Sequence, residues 1–355
     1  MARTTPVLAA VALALAAQTA QAAEVTDLPP WLRGDIVVDY GFQHKAGSLY
    51  EGSERVGSSS FEQHTVTYQG VFTAGPGVGV FFELPQHLST RLAFPEASQM
   101  VFDPSTGQGT MLETEPIEGL DPIHGKGTDG VWLGIKGTPF SETFESRGNR
   151  ATWLIEAAVR TRSDNNFYEL ADGDLRGAGN GGGGTRLGMA FSTTRNITQP
   201  YIAFRYTRAR TLSDVTLYDE NGETLGSGFE LEPADDFWIR TGAEIVAHDN
   251  AEAFSRFSID LRVGFGYTTW QSAPSGLYLP SVLSTSRQVP ATESEHTWAS
   301  AGVGFYHQAF QYMKWKLVAD LTYMAPHEIE HHYPIVTGTD TLDLSLGGGV
   351  EILIR

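Results

Sequence analysis

Histidines and acids at close spacing are the first place to look for chemistry. His327-Glu328-Ile329-Glu330-His331-His332 follows Pro326 and gathers imidazoles with carboxylates. That donor set suits Zn or Cu, so His327, His331 and His332 are the candidate metal ligands. The competing reading, a solvated loop with adventitious affinity, is preferred, and no metal is expected. Asp172-Gly173-Asp174 precedes a Gly-rich run and offers oxygen ligands for Ca²⁺. It lacks the twelve-residue loop with its Gly and terminal Glu, so a solvated loop is again expected. A Ser hydrolase needs a nucleophile, a base and an orienting group in reach of one another. His64, Ser300 and His307 are available, but no motif joins them. The chain is therefore expected to have no catalytic residue and no cofactor.

A further set of charges is organised differently. Glu156, Arg160, Arg205, Arg240, Glu244, Asp260, Arg262, Lys314, Lys316, Asp320 and Glu351 each fall on the polar side of an alternating segment. The segment Phe254 to Trp270 is the clearest. Phe257, Ile259, Leu261, Val263, Phe265 and Tyr267 share one face, and Ser258, Asp260, Arg262, Gly264 and Gly266 share the other. A period of two means a β-strand. Similar segments recur near 35–42, 61–72, 77–84, 131–136, 154–161, 186–191, 202–206, 237–245, 301–305, 313–323 and 342–355, about twelve strands in all. From the second onward, their connections alternate short and long, as in a membrane barrel. The expected fold is all-β: a closed antiparallel transmembrane β-barrel of 12–14 strands. Its apolar faces meet lipid, and its charges line a lumen. A secreted sandwich is the alternative, but buried unpaired charges would cost it several kcal/mol each.

In that barrel the inward charges are either a selectivity ladder or a set of cross-wall pairs that brace the wall. Outward Leu261→Arg should impair insertion, and inward Arg262→Leu should be far better tolerated. Trp153, Tyr206, Trp270, Trp315 and Tyr323 suit interfacial girdles, whereas Trp238 and Trp298 have inward parity. Lys45 to Ser59 reads as a polar loop. Pro85 to Gly125 holds Pro95, Pro104, Pro116 and Pro122 after its first residue and reads as unsuited to a central strand, although Thr90 to Phe102 could add a hairpin.

The N-terminus and composition set the compartment. Arg3, the uncharged run Val7–Ala17 and Ala20-Gln21-Ala22 read as a secretory signal. The expected division is 1–23 signal peptide, 24–34 periplasmic segment and 35–355 barrel. Pro29-Pro30-Trp31-Leu32 in that segment is a candidate lumen plug. The 355 residues include no Cys, so neither a disulfide nor a lipoprotein anchor is available. A net charge of −18 argues against nucleic acid, which needs clustered bases. Outer-membrane lipid is the expected partner. Long loops are expected outside the cell and both termini in the periplasm.

Three pieces carry a family resemblance: Gly79-Val80-Phe81-Phe82-Glu83-Leu84-Pro85, then Gly127-Thr128-Asp129-Gly130-Val131-Trp132-Leu133-Gly134-Ile135-Lys136, then the strand from Trp153 with a Gly-rich loop and Thr185-Arg186-Leu187-Gly188-Met189. In this order they resemble the transporters of the meta-pathway of phenol degradation, within the fatty-acid-transporter-like barrels. About a third of the chain is covered. The chain departs from many barrels in ending Ile352-Leu353-Ile354-Arg355 rather than on an aromatic. The resemblance implies a passive channel for small solutes, apolar ones included. Barrels of this appearance also anchor trans-envelope machines for gliding or polysaccharide secretion, which would give periplasmic or lipoprotein partners.

Overall fold

The computed structural model describes residues 33–51, 53–75, 77–97, 100–103, 108–111, 123–140, 151–163, 170–171, 174–175, 182–218, 224–250, 253–271, 292–330 and 338–354. Twelve strands build one wall: β1 (Gly34–Glu51), β2 (Glu54–Gly75), β3 (Val78–Ala97), β4 (Trp132–Phe140), β5 (Ala151–Arg160), β6 (Gly184–Thr193), β7 (Thr198–Ala209), β8 (Asp236–Asn250), β9 (Ser255–Thr268), β10 (His296–Phe310), β11 (Met313–His327) and β12 (Gly338–Ile354). Each pairs antiparallel with its neighbours in sequence. β1 also pairs with β12, from Gly34↔Ile354 to Tyr50↔Gly338, so the sheet closes and leaves no edge. The short segment Ile123–Thr128 extends the wall beside β3, ahead of β4. The expected signal peptide and the candidate plug lie outside the described residues.

Alternation sets what each face meets. On β9, Leu261, Val263 and Phe265 are 51%, 44% and 61% exposed, while Ser258, Asp260 and Arg262 are buried. The outward face is thus apolar and the charges point in. Exposed aromatics form two rings. Phe140, Trp153, Phe310, Tyr312 and Trp315 lie toward the short-turn end, and Tyr206, Phe237, Tyr267, Trp270 and Tyr323 toward the long-loop end. Trp315 and Tyr323 are eight residues apart on β11, about 27 Å of strand. Strand tilt brings that close to the ~25 Å apolar band of a membrane barrel.

One expected loop is strand, and so is the first part of the proline-containing stretch. Lys45 to Ser59 is the extended end of the β1–β2 hairpin, paired from Lys45↔Phe61 to Glu51↔Glu54. Above the lipid a strand needs no apolar face, so its ladder continues through a polar stretch that carries no alternation signal. β3 likewise runs on through Pro85 and Pro95 to Ala97, rather than stopping at Leu84. Pro85 sits where the neighbouring chain breaks, between Glu83↔Trp132 and Gln86↔Thr128. Its missing N–H costs little at such a gap, and its carbonyl accepts the Asp129 N–H at 3.4 Å.

Candidate functional site

The inward faces meet in two charged clusters at mid-barrel. In the first, Arg262 on β9 donates from Nε to Asp320 Oδ1 at 2.8 Å and from Nη2 to Oδ2 at 2.5 Å. Its Nη1 donates to Asp260 Oδ2 at 3.1 Å, and Tyr201 on β7 donates to Asp260 Oδ1 at 3.1 Å. Arg262, Asp260 and Asp320 are 4%, 0% and 8% exposed. Register explains how β9 reaches β11. Arg262 pairs with Gly302 on β10, and Gly302 pairs with Asp320. A Cβ on Gly302 would lie 2.1 Å from Asp320 Oδ1 and 2.9 Å from Arg262 Nε. Only a glycine leaves the ion pair room to cross the strand between. The same device joins Lys316 to Asp39 at 2.7 Å across Gly349, where a Cβ would meet Asp39 Oδ1 at 1.9 Å.

The second cluster centres on Glu156 of β5. Its carboxylate lies 2.7 Å from Arg186 Nε, 3.6 Å from Lys136 Nζ and 4.0 Å from Arg205 Nη2. Arg186 also donates to Glu83 from both terminal nitrogens at 3.1 Å. Its guanidinium lies over Trp132, 4.8 Å from the ring centre. Arg205 and Arg240 lie over Trp238 at 5.1 and 5.0 Å. Trp238 is buried with Leu154, Ala190 and Ala203, against Trp298, so Trp238 and Trp298 join Trp132 in packing within the lumen.

Arg160, Glu244, Lys314 and Glu351 also stand in ion pairs. Arg160 pairs with Asp129 at 2.7 Å, Glu244 with Arg256 at 3.2 Å and Lys314 with Glu351 at 2.9 Å. Asp39, Glu83 and Arg186 belong to the networks although they were not among the candidates; each alternates with outward apolar neighbours, which is a usable signal. Toward the loop end, above Asp320, lies a cavity of about 210 Å³. Lys45, Asp236, Arg240, Asp343, Trp298 and Ser300 are among its lining residues.

No protein-family model matches the chain, and no curated protein matches it in sequence. Among solved structures it is similar to an outer membrane channel from Pseudomonas putida F1, 11% identical, over 93% of this chain and 97% of that one, with a TM-score of 0.50. Weaker overlaps are with the CymD monoaromatic hydrocarbon channel (10% identical, 90% and 88% covered, TM-score 0.41) and the outer membrane protease OmpT from Escherichia coli (8%, 93% and 99%, 0.38). The fold is that of an outer-membrane β-barrel. Its lipid face is therefore testable by charge. Leu261→Arg places a cation on the outward face near mid-strand and should cost about 2–4 kcal/mol of folding into a bilayer. Urea titration in lipid vesicles measures this; an unchanged midpoint would overturn the assignment of that face.

His64 and Ser300 fall on opposite faces of this barrel wall. His64 hydrogen-bonds Tyr40 Oη at 2.7 Å outside, and Ser300 lines the inner cavity. His307 is outward beside Phe257. The structure brings no triad together from them. His331, His332 and Asp172 lie outside the described residues. The run from His327 to His331 has the H-E-x-x-H spacing, but that motif needs a helix to align its histidines. His327 instead closes β11, and Ile329–Glu330 is strand. Its neighbours are Glu293 and His296, which were not candidates. All three sit at the loop end, beyond Tyr323. Burial alone would raise the Glu293 carboxyl, but His327 holds it below the usual range. Burial alone would lower His327, but Glu293 keeps it above the ordinary imidazole value. Burial, with His327 adjacent, pushes His296 down.

Proposed function

We propose that this barrel is an outer-membrane channel for small solutes, closed at rest by its mid-lumen ion pairs. The observation that carries the reading is the loop-end cavity standing directly on the Arg262–Asp320 pair. It gives a solute a place to dwell before a constriction whose bonds can exchange partners. Lys45, Asp236, Arg240 and Asp343 give its walls both signs of charge, which favours solutes with charge or hydrogen-bonding groups over purely apolar ones. Passage of apolar solutes rests on the family resemblance alone. The long loops and the cavity face the outside, and the termini face the periplasm. No enzymatic step is assigned, because the described lumen offers ion pairs rather than an activated nucleophile.

Planar-bilayer recording tests this. Wild type should show small, infrequent conductance steps. Asp260→Ser/Arg262→Ser/Asp320→Ser removes one cluster as a unit, and it should raise the conductance several-fold. If neither protein passes ions or swells solute-loaded liposomes, the channel reading is overturned. The second reading then stands: a non-conducting barrel that anchors an envelope machine. The packed mid-lumen is the feature that favours it, and recovery of periplasmic or lipoprotein partners by cross-linking would support it.

A further inference from the structure

At the loop-end rim, Glu293, His296 and His327 are 7%, 8% and 7% exposed. They come from three places. Glu293 lies in the two-residue strand Thr292–Glu293, which pairs with Ile329–Glu330; His296 opens β10, and His327 closes β11. One ligating atom from each lies within 4.8 Å of the other two. The imidazoles are stacked, with centroids 4.0 Å apart and planes 20° from parallel.

The hydrogen bonds orient this cluster toward a cation. His296 Nδ1 lies 3.2 Å from the Ser294 carbonyl, and His327 Nδ1 lies 2.8 Å from the Ala325 carbonyl. A carbonyl only accepts, so each Nδ1 carries a proton and donates. That leaves each Nε2 as the potential ligand atom, the usual arrangement of metal-binding histidines. Glu293 Oε1 faces His327 Nε2, while its Oε2 accepts from the Gln271 amide at 2.5 Å. A His–Glu ion pair would explain His327 and Glu293. It does not explain a second buried imidazole, fixed by a carbonyl and stacked on the first.

We propose that Glu293, His296 and His327 bind one divalent first-row transition metal ion, Zn²⁺ being the favoured member. Two imidazole nitrogens and a carboxylate oxygen suit Zn²⁺; Ca²⁺ and Mg²⁺ prefer oxygen alone. Three protein ligands leave a fourth tetrahedral position for water or a solute group. The ion replaces the proton shared by His327 and Glu293, which is released. It then staples Thr292–Glu293 to the ends of β10 and β11.

The test uses the full barrel in detergent, without a histidine tag and stripped with EDTA. Calorimetric titration with ZnCl₂ should give one ion per chain. Co²⁺ in its place should give the intense visible bands of four-coordination. His296→Ala and His327→Ala should abolish stoichiometric binding. Gln271→Ala keeps all three ligands but frees the carboxylate, and it should weaken binding about 10–100-fold. It remains informative if a histidine variant does not fold, as judged by β-sheet circular dichroism. His331→Ala/His332→Ala should bind as wild type. The proposal is overturned if wild type takes up less than one equivalent, if folded His296→Ala still binds it, or if uptake follows His331 and His332.

Discussion

Arg262→Leu is expected to destabilise the folded barrel by about 3–5 kcal/mol, the usual cost of removing one partner from a buried ionic group. Parity alone predicts the reverse, since an inward-facing residue in a watery lumen should tolerate the change. The structure corrects that expectation. Arg262 is 4% exposed and holds two carboxylates, Asp260 at 0% and Asp320 at 8%. Removing the guanidinium leaves two negative charges facing each other, with the Tyr201 hydroxyl still donating to Asp260. Denaturant unfolding in micelles measures the loss. Arg262→Leu/Asp260→Asn/Asp320→Asn should recover most of it, because neutralising the whole group removes the stranded charge. A single variant as stable as wild type would mean that water fills the cluster and replaces the lost bonds.

This reversal marks how much of the fold and site is legible in the sequence. The direction of each side chain follows from a period of two and a lipid-facing apolar set, so β9 and the inward Arg262 can be read directly. Partner choice cannot. Arg262 meets Asp320 because Gly302 lies between them in the register, and register is a property of paired strands, not of one. Strand length fails for a related reason. From Lys45 to Glu51 the ladder holds the strand; Lys45 lines the cavity and Leu49 is buried, but no outward apolar set alternates with them to mark the segment. The rim cluster is harder still. Glu293 and His327 are brought together by a two-residue pairing of segments far apart in the chain. Local spacing pointed His327 toward His331 instead.

Glu156→Ala should have an effect of comparable size, about 3–5 kcal/mol, for the opposite electrostatic reason. Glu156 is 5% exposed and stands among Arg186, Lys136 and Arg205. With Glu83, the cluster holds two acids and three bases, a net charge of +1 that the substitution raises to +2. Arg186 keeps Glu83, and Arg205 keeps the face of Trp238. Lys136 keeps the face of Phe81, with its ammonium 4.9 Å from the ring centre. Mutual repulsion of three cations in a low-dielectric setting is weakly screened, so added salt should rescue little. Glu156→Gln keeps the volume and a polar acceptor, and it should lose less. The same change tests the lumen as a conduction path. If ions cross this cluster, reversal potentials in a salt gradient should shift toward anion selectivity in Glu156→Ala. A destabilised barrel with an unshifted reversal potential would place the ion path elsewhere and make Glu156 purely a brace of the wall.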